Sequence, residues 1–172
     1  DLAQRYPESV DPATDAKWIY TGPFDLTDEV SDVPLNAGKL VLSPTRTYAP
    51  LLSKILPKWR HRIKGMVHCS GGAQTKVLHF IEDIHVIKDD LFPTPPLFRM
   101  IQEASGTEWS EMYTVFNMGH RMEIYTDSDA AEAIVAMAKE AGVGAKIIGR
   151  CEPWQGKRVT VSGEHGTFEY GD

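Results

Sequence analysis

Two cysteines, Cys69 and Cys151, are too few for a disulfide framework or for a zinc site of thiolates, which favours a reducing compartment, the cytosol. No apolar run approaches the length of a membrane-spanning helix, and no signal-peptide pattern is present. Positive charge is in deficit: Lys+Arg 18 against Asp+Glu 24 leaves a formal net charge of -6. A broad, non-specific grip on nucleic acid is therefore not expected, although a local basic cluster can still hold a phosphate. Internal repeats and low-complexity tracts are absent. So are the lysine of a Walker loop and the third glycine of a dinucleotide-binding fingerprint at the required spacing.

What remains is the composition of a globular protein, 42% hydrophobic and 24% charged, in 172 residues, a length that suits one domain with a real core. The chain starts at Asp1, and Leu2-Ala3-Gln4-Arg5-Tyr6 reads as the end of a helix stopped by Pro7. A domain does not normally begin in mid-helix, so the sequence is expected to be a fragment of a longer protein. Residues 1–34 then form a truncated start and a long connection, with one short strand or turn at Trp18-Ile19-Tyr20, and residues 35–172 form the domain proper.

Beyond residue 35, helix and strand patterns alternate. Asn36 is placed to cap a short helix to Leu42. Ser43 and Pro44 are placed to start another, with Tyr48, Leu51, Leu52, Ile55 and Leu56 as its apolar face. Lys58, Arg60, His61, Arg62 and Lys64 cluster at its end, where cations complement the helix dipole. Strands are expected at 84–87, 122–125 and 146–150, with a closing edge hairpin at 159–161 and 167–170. Helices are expected at about 97–104, ending near Gly106, at 109–116, and from the Asp127-Ser128 cap to Gly142. The alternation implies an α/β fold with a mixed sheet.

The centre of the chain is Met66-Val67-His68-Cys69-Ser70-Gly71-Gly72-Ala73-Gln74. An apolar strand stops at Ser70-Gly71-Gly72, and a helical pattern with Val77, Leu78 and Ile81 follows. Strand, small-residue turn and helix start together let backbone N–H groups face an anion without side chains intervening. The plain reading is a tight connection. His68, at the strand end, suits either a satisfied core histidine or a phosphate contact. Cys69 adjoins a helix start but has no base partner, so it reads as a small buried residue. Asn117-Met118-Gly119 repeats the small-residue logic between a helix and a strand, where a plain turn is again the alternative. Thr45 and Arg46 sit where they could add an anion contact. Glu111 reads as a helix-dipole residue, and His79, His85 and His165 have no metal-ligand spacing. From the residues alone, the result is an α/β domain whose turns suit an anionic small molecule.

Three segments together resemble the phosphoribosylformylglycinamidine cyclo-ligase (AIR synthetase) family. They are Leu42-Ser43-Pro44-Thr45-Arg46-Thr47-Tyr48, Met66-Val67-His68-Cys69-Ser70-Gly71-Gly72, and Glu111-Met112-Tyr113-Thr114-Val115-Phe116-Asn117-Met118-Gly119. The family patterns read approximately Pro-Thr-Arg-x-Tyr, His-x-Thr-Gly-Gly-Gly and Glu-Met-x-x-x-Phe-Asn-x-Gly, in this order, within its C-terminal half. The resemblance implies a three-layer α/β/α domain that closes over an active-site cleft. The intact enzyme it implies uses ATP and Mg2+ to activate the formyl oxygen of formylglycinamidine ribonucleotide as a phosphoryl ester. A substrate nitrogen then closes the ring to give aminoimidazole ribonucleotide, ADP and phosphate. ATP and Mg2+ would be bound mainly by an N-terminal ATP-binding domain, which also carries most of a homodimer interface and which this sequence is expected to lack. Localisation would be cytoplasmic, with no nucleic-acid or membrane partner.

By the same resemblance, His68, Ser70, Gly71 and Gly72 would hold the ribonucleotide, most directly its phosphate, supported by Thr45, Arg46, Asn117 and Gly119. No catalytic residue is assigned, and the isolated chain is expected to be inactive. Four departures bear on substrate contacts: Ser70 for a threonine, Ala73 for the third glycine, Gln74 for an aromatic residue, and His120-Arg121, which would add charge near the site. Two alternatives stay open. One is a related ATP-dependent enzyme of the formylglycinamide ribonucleotide amidotransferase, thiamine-phosphate kinase or selenide kinase type. The other is a non-catalytic ligand-binding domain.

Overall fold

The computed structural model describes residues 5–15, 17, 19 and 22–172. Trp18, Tyr20 and most of the expected helix end at Leu2–Tyr6 lie outside these residues. After a 3-10 turn at Pro7–Ser9, the elements in chain order are α1 (Ala37–Val41), α2 (Ala49–Trp59), β1 (Gly65–His68), a 3-10 helix (Ala73–His79), β2 (Ile84–Lys88), α3 (Pro96–Ser105), α4 (Trp109–Val115), β3 (Met122–Tyr125), α5 (Ser128–Glu140), β4 (Gly149–Pro153), β5 (Lys157–Gly163) and β6 (Gly166–Gly171). They group into two compact units, one of Asp1–Pro44 with Pro96–Thr107, the other of Thr45–Pro95 with Glu108–Asp172.

In the first unit, Asn36 caps α1 as its sequence implies, its Oδ1 accepting from the Lys39 N–H at 2.9 Å. Gly106, at φ +67°, closes α3 by donating its N–H to the Gln102 carbonyl at 2.8 Å.

The second unit holds all six strands found among the described residues and all the anticipated site residues. Its strands form two sheets, not one. β1 and β3 pair antiparallel, from Gly65 opposite Tyr125 to His68 opposite Met122. The other sheet has the order β4-β2-β5-β6, with β2 and β5 parallel and the remaining pairs antiparallel. The α/β class, the mixed sheet and the edge hairpin of β5 and β6 thus agree with the sequence. Val86, Val159 and Val161 line one face of this sheet and are buried. A second core lies between α2 and α5, where Leu51 and Ile55 meet Ile134 and Ala138. Complete burial of a residue such as Ile55 contributes about 1.5–3 kcal/mol.

α5 shows why its ends are legible. Asp127 accepts from the Ala130 N–H at 3.1 Å. At the other end Gly142 N–H donates to Lys139 O and Val143 N–H to Ala138 O, the paired bonds of a glycine-terminated helix. Arg62, grouped by sequence with the solvated basic cluster, has a specific partner instead. Its guanidinium grips Asp127 with two bonds of 2.5 and 2.6 Å, which pulls the Asp127 carboxyl below its ordinary value.

Three expected boundaries are corrected. α2 starts at Ala49, not at Pro44, and Ser43 is not its cap. A helix begun at Pro44 would carry Pro50 in its interior, where proline has no N–H to give and clashes with the preceding turn; starting at Ala49 places Pro50 in the first turn. The helix after the central turn is a 3-10 helix, because Gly72 and Ala73 both have positive φ, +85° and +42°, and Thr75 bonds Gly72 O through its N–H and its hydroxyl. The strand expected at 146–150 is displaced to Gly149–Pro153. Gly149 is where the chain can come against β2, since a Cβ there would lie 1.8 Å from Ile87 O.

Candidate functional site

The register of β1 and β3 decides the geometry. β1 ends at His68 opposite Met122, where β3 begins, so the turn that leaves β1 and the turn that enters β3 lie at the same end of one two-stranded ribbon. The Cys69 N–H donates to Arg121 O at 2.9 Å and extends the pairing to the edge of both turns. Sequence positions 68–73 and 117–120 therefore form one local surface.

Within the first turn, Ser70 N–H donates to His68 O and Ala73 N–H to Ser70 O. The N–H groups of Gly71 and Gly72 have no protein acceptor among the described residues. His68, Ser70 and Gly71 are exposed, which removes the core reading of His68, and Gly72 is half-buried. A Cβ built on Gly71 meets nothing within 4 Å, so the space above it is open. In the second turn Asn117 Oδ1 accepts from Gly119 N–H at 2.9 Å, and Gly119 has φ +87°. Thr45 and Arg46 are exposed in the segment before α2, and among the described residues no hydrogen bond or ion pair links them to either turn.

Sequence reading missed one cation here. Lys76 folds back along the 3-10 helix and its Nζ donates to Ser70 Oγ at 2.6 Å. No ion pair among the described residues involves it. Because Ser70 Oγ accepts from the ammonium, its own proton is available to a ligand oxygen. Lysine six residues after the serine matches no phosphate-loop spacing, and only the tight 3-10 turn returns it.

A buried polar network behind the two turns was also missed. Gln74, fully buried, donates from Nε2 to Asn117 O at 2.8 Å. Lys88, at 1% exposure, donates from Nζ to Gln74 O at 2.7 Å, to Gln74 Oε1 at 3.2 Å and to Glu123 Oε1 at 2.5 Å. Tyr125 OH donates to the other oxygen of Glu123 at 2.5 Å, and burial, then the Glu123 charge, pushes the phenol well above its ordinary value. The signal for this network was weak: a lysine and a glutamate at core-facing positions of two otherwise apolar strands.

His120 reverses an expectation. It was read as adding charge near the site, but it is buried, and burial holds its pKa down to about 4. Its Nε2 accepts from the Phe92 N–H at 3.1 Å, so the ring is neutral and serves as a fastener for the 89–95 loop. Cys69 is buried as anticipated, and burial first, then the Glu123 charge, raises its thiol to about 12. Cys151 is exposed. Alkylation of the native chain at about pH 8 is therefore expected to modify Cys151 and to reach Cys69 only after denaturation, since the thiolate is the reactive form; equal native labelling, read by peptide mass, would contradict the buried placement.

A separate cavity of about 280 Å³ is lined by Asp89, Asp90, Thr94, Tyr113, Gly163 and Glu164 among others, and by none of the anticipated site residues. Its acidic lining does not suit an anion.

Comparison with known proteins agrees with the motifs. Residues 26–162 match the family model described as AIR synthase related protein, C-terminal domain. The phosphoribosylformylglycinamidine cyclo-ligase of Methanopyrus kandleri is 30% identical over 148 residues, covering 86% of this chain and 42% of the relative. Those of Caldicellulosiruptor saccharolyticus and a Geobacillus species are 32% and 33% identical, with 80% and 81% of this chain and 41% and 40% of the relatives covered. The chain thus spans about two fifths of the length of these relatives. Among solved structures, E. coli HypE, a hydrogenase maturation protein, superposes with a TM-score of 0.52 at 22% identity over 74% of this chain and 39% of that one, a likeness of fold. The motifs, the α/β architecture and the match over 26–162 lead to one assignment: the chain belongs to the AIR synthase related protein family and corresponds to its C-terminal domain.

Proposed function

We propose that this chain is the ribonucleotide-holding part of an ATP-dependent cyclo-ligase that closes the imidazole ring of aminoimidazole ribonucleotide in purine biosynthesis. The observation that carries the reading is the Ser70-Gly71-Gly72 turn, exposed at Ser70 and Gly71, with two glycine N–H groups that have no acceptor among the described residues and the Lys76 ammonium on the Ser70 hydroxyl. Two amide donors, one hydroxyl donor and one cation around open space are what a phosphate monoester needs. The relatives' name supplies the substrate, formylglycinamidine ribonucleotide, and the neighbouring Asn117–Gly119 turn is suited to the part of the ligand beyond its phosphate. Thr45 and Arg46 join the site only if their segment closes on bound substrate. The chemical contribution of this part is positional: a phosphate anchored here fixes the amidine nitrogen and formyl carbon relative to each other.

Phosphoryl transfer from ATP belongs, on this reading, to the portion of the relatives that this chain does not match. The described residues contain no group of three His, Cys, Asp or Glu side chains able to hold a metal ion. The whole enzyme would be a cytoplasmic homodimer.

Calorimetric titration with formylglycinamidine ribonucleotide, with ATP as control, tests this. The ribonucleotide is expected to bind and ATP not to bind. Gly71→Val is expected to weaken binding at least about tenfold by filling the space over the turn. Its thermal midpoint should stay at the wild-type value, because the new Cβ meets no protein atom within 4 Å. Wild-type affinity in Gly71→Val would remove the turn from the site.

A further inference from the structure

Each turn contains one buried residue that is not glycine yet sits at positive φ: Ala73 at +42° and Met118 at +51°. Such conformations persist only where surrounding structure enforces them. The enforcing contacts are specific. Gln74, next to Ala73, bonds the carbonyl of Asn117, next to Met118, so one side chain lies between the two strained positions. Lys88 holds that side chain and its main-chain carbonyl from β2, and Glu123, steadied by Tyr125, holds Lys88 from β3. The network thereby ties the four-stranded sheet to the two-stranded ribbon and sets both turns at once.

We infer that Lys88, Glu123 and Gln74 are positioning residues that lock the Ser70–Ala73 and Asn117–Gly119 turns into a single preorganised surface; the value of that lock for substrate rests on the anchor role proposed above. Burial of an ion pair is a poor source of net stability compared with apolar side chains of similar volume. A lysine and a glutamate in the core of this unit are better explained by what they orient. None of the three touches the open face of the turns, so their effect on a ligand is transmitted through Gln74 and the backbone.

The test separates positioning from stability and from the anchor role. In Lys88→Met/Glu123→Leu/Tyr125→Phe both charges and the phenol are replaced, so no charge is stranded; Gln74 loses only its two bonds from Lys88, and the thermal midpoint is expected to fall far less than in Lys88→Met alone. Hydrogen exchange at Ser70, Ala73, Gly119 and His120, whose N–H groups are bonded within the two turns, is expected to accelerate by about tenfold or more in both turns together, while the β2–β5 ladder keeps its protection. Gln74→Met, close in volume and lacking the amide, should reproduce the coupled acceleration, and it decides the matter if the triple variant does not fold. Both variants should lose ribonucleotide affinity by at least about tenfold. Exchange at the wild-type rate in both turns would overturn the inference. Accelerated exchange in a chain whose wild type binds no ribonucleotide would leave the lock standing and refute the anchor.

Discussion

Lys88→Met alone is expected to destabilise the chain by about 3–5 kcal/mol, in contrast to the triple replacement. Among the described residues Lys88 supplies the only cation bonded to the Glu123 carboxylate, which is itself 7% exposed. With methionine in its place, the carboxylate keeps one donor, Tyr125 OH, and loses its counter-charge in a medium that solvates it poorly. Gln74 loses its partner at both the carbonyl and Oε1. Small domains are stable by about 5–15 kcal/mol, so a large fraction of the total is at stake. Urea unfolding reads the effect directly: at about 1–3 kcal/mol per molar urea, the midpoint should fall by about 1 M or more. Adding Glu123→Leu should return most of the loss, because the stranded charge and not the missing contact is the main cost. Equal destabilisation of single and double variants would show that packing of the lysine stem dominates instead.

Acidification is expected to expose the second large effect, at His120. Its folded pKa is about 4, below an ordinary histidine, because burial opposes the imidazolium. The folded state therefore binds fewer protons than the unfolded chain between these values, and stability increases with pH across that interval. The contribution is fully present above about pH 6.5 and is lost progressively as pH falls toward 4; a difference of about 2.5 units at 1.36 kcal/mol each amounts to roughly 3 kcal/mol. His120→Gln, with an amide oxygen to accept from the Phe92 N–H, should be less stable at neutral pH through imperfect packing yet show a shallower fall below pH 6.5. Parallel stability–pH curves for the two chains would place the slope on other groups.

Local chemistry made much of this chain legible. Asn36, Asp127, Gly106 and Gly142 end helices through bonds between near neighbours, and each was found where its residue type requires. The strand at Met122–Tyr125 and the edge hairpin follow from alternation and turn residues. The misplaced boundaries are those where two local rules competed. Pro44 and Pro50 both favour a first turn, but they lie too far apart for one start to serve both, and the helix takes Pro50. Residues 146–148 have a strand's apolar content but sit outside the pairing that Gly149 permits; the Ile148 carbonyl instead receives the N–H groups of Asp89 and Asp90.

For the site, the residue types at 68–72 and 117–119 were enough to mark two turns, because glycine and asparagine announce backbone shapes that other residues resist. The family, too, was written in three short motifs. What no local rule contains is distance across the chain. That the two turns adjoin depends on the β1–β3 register, that Lys76 returns to Ser70 depends on a 3-10 helix, and that Lys88 meets Gln74 and Glu123 depends on a side chain of one sheet reaching a strand of the other. A lysine and a histidine read from sequence are charges; burial and partners made one a clamp between strands and the other a neutral acceptor. Sequence by itself determined the elements, the turn chemistry and the kinship. Tertiary structure alone decided which polar groups left water together, because desolvation and hydrogen-bond geometry are properties of neighbours in space.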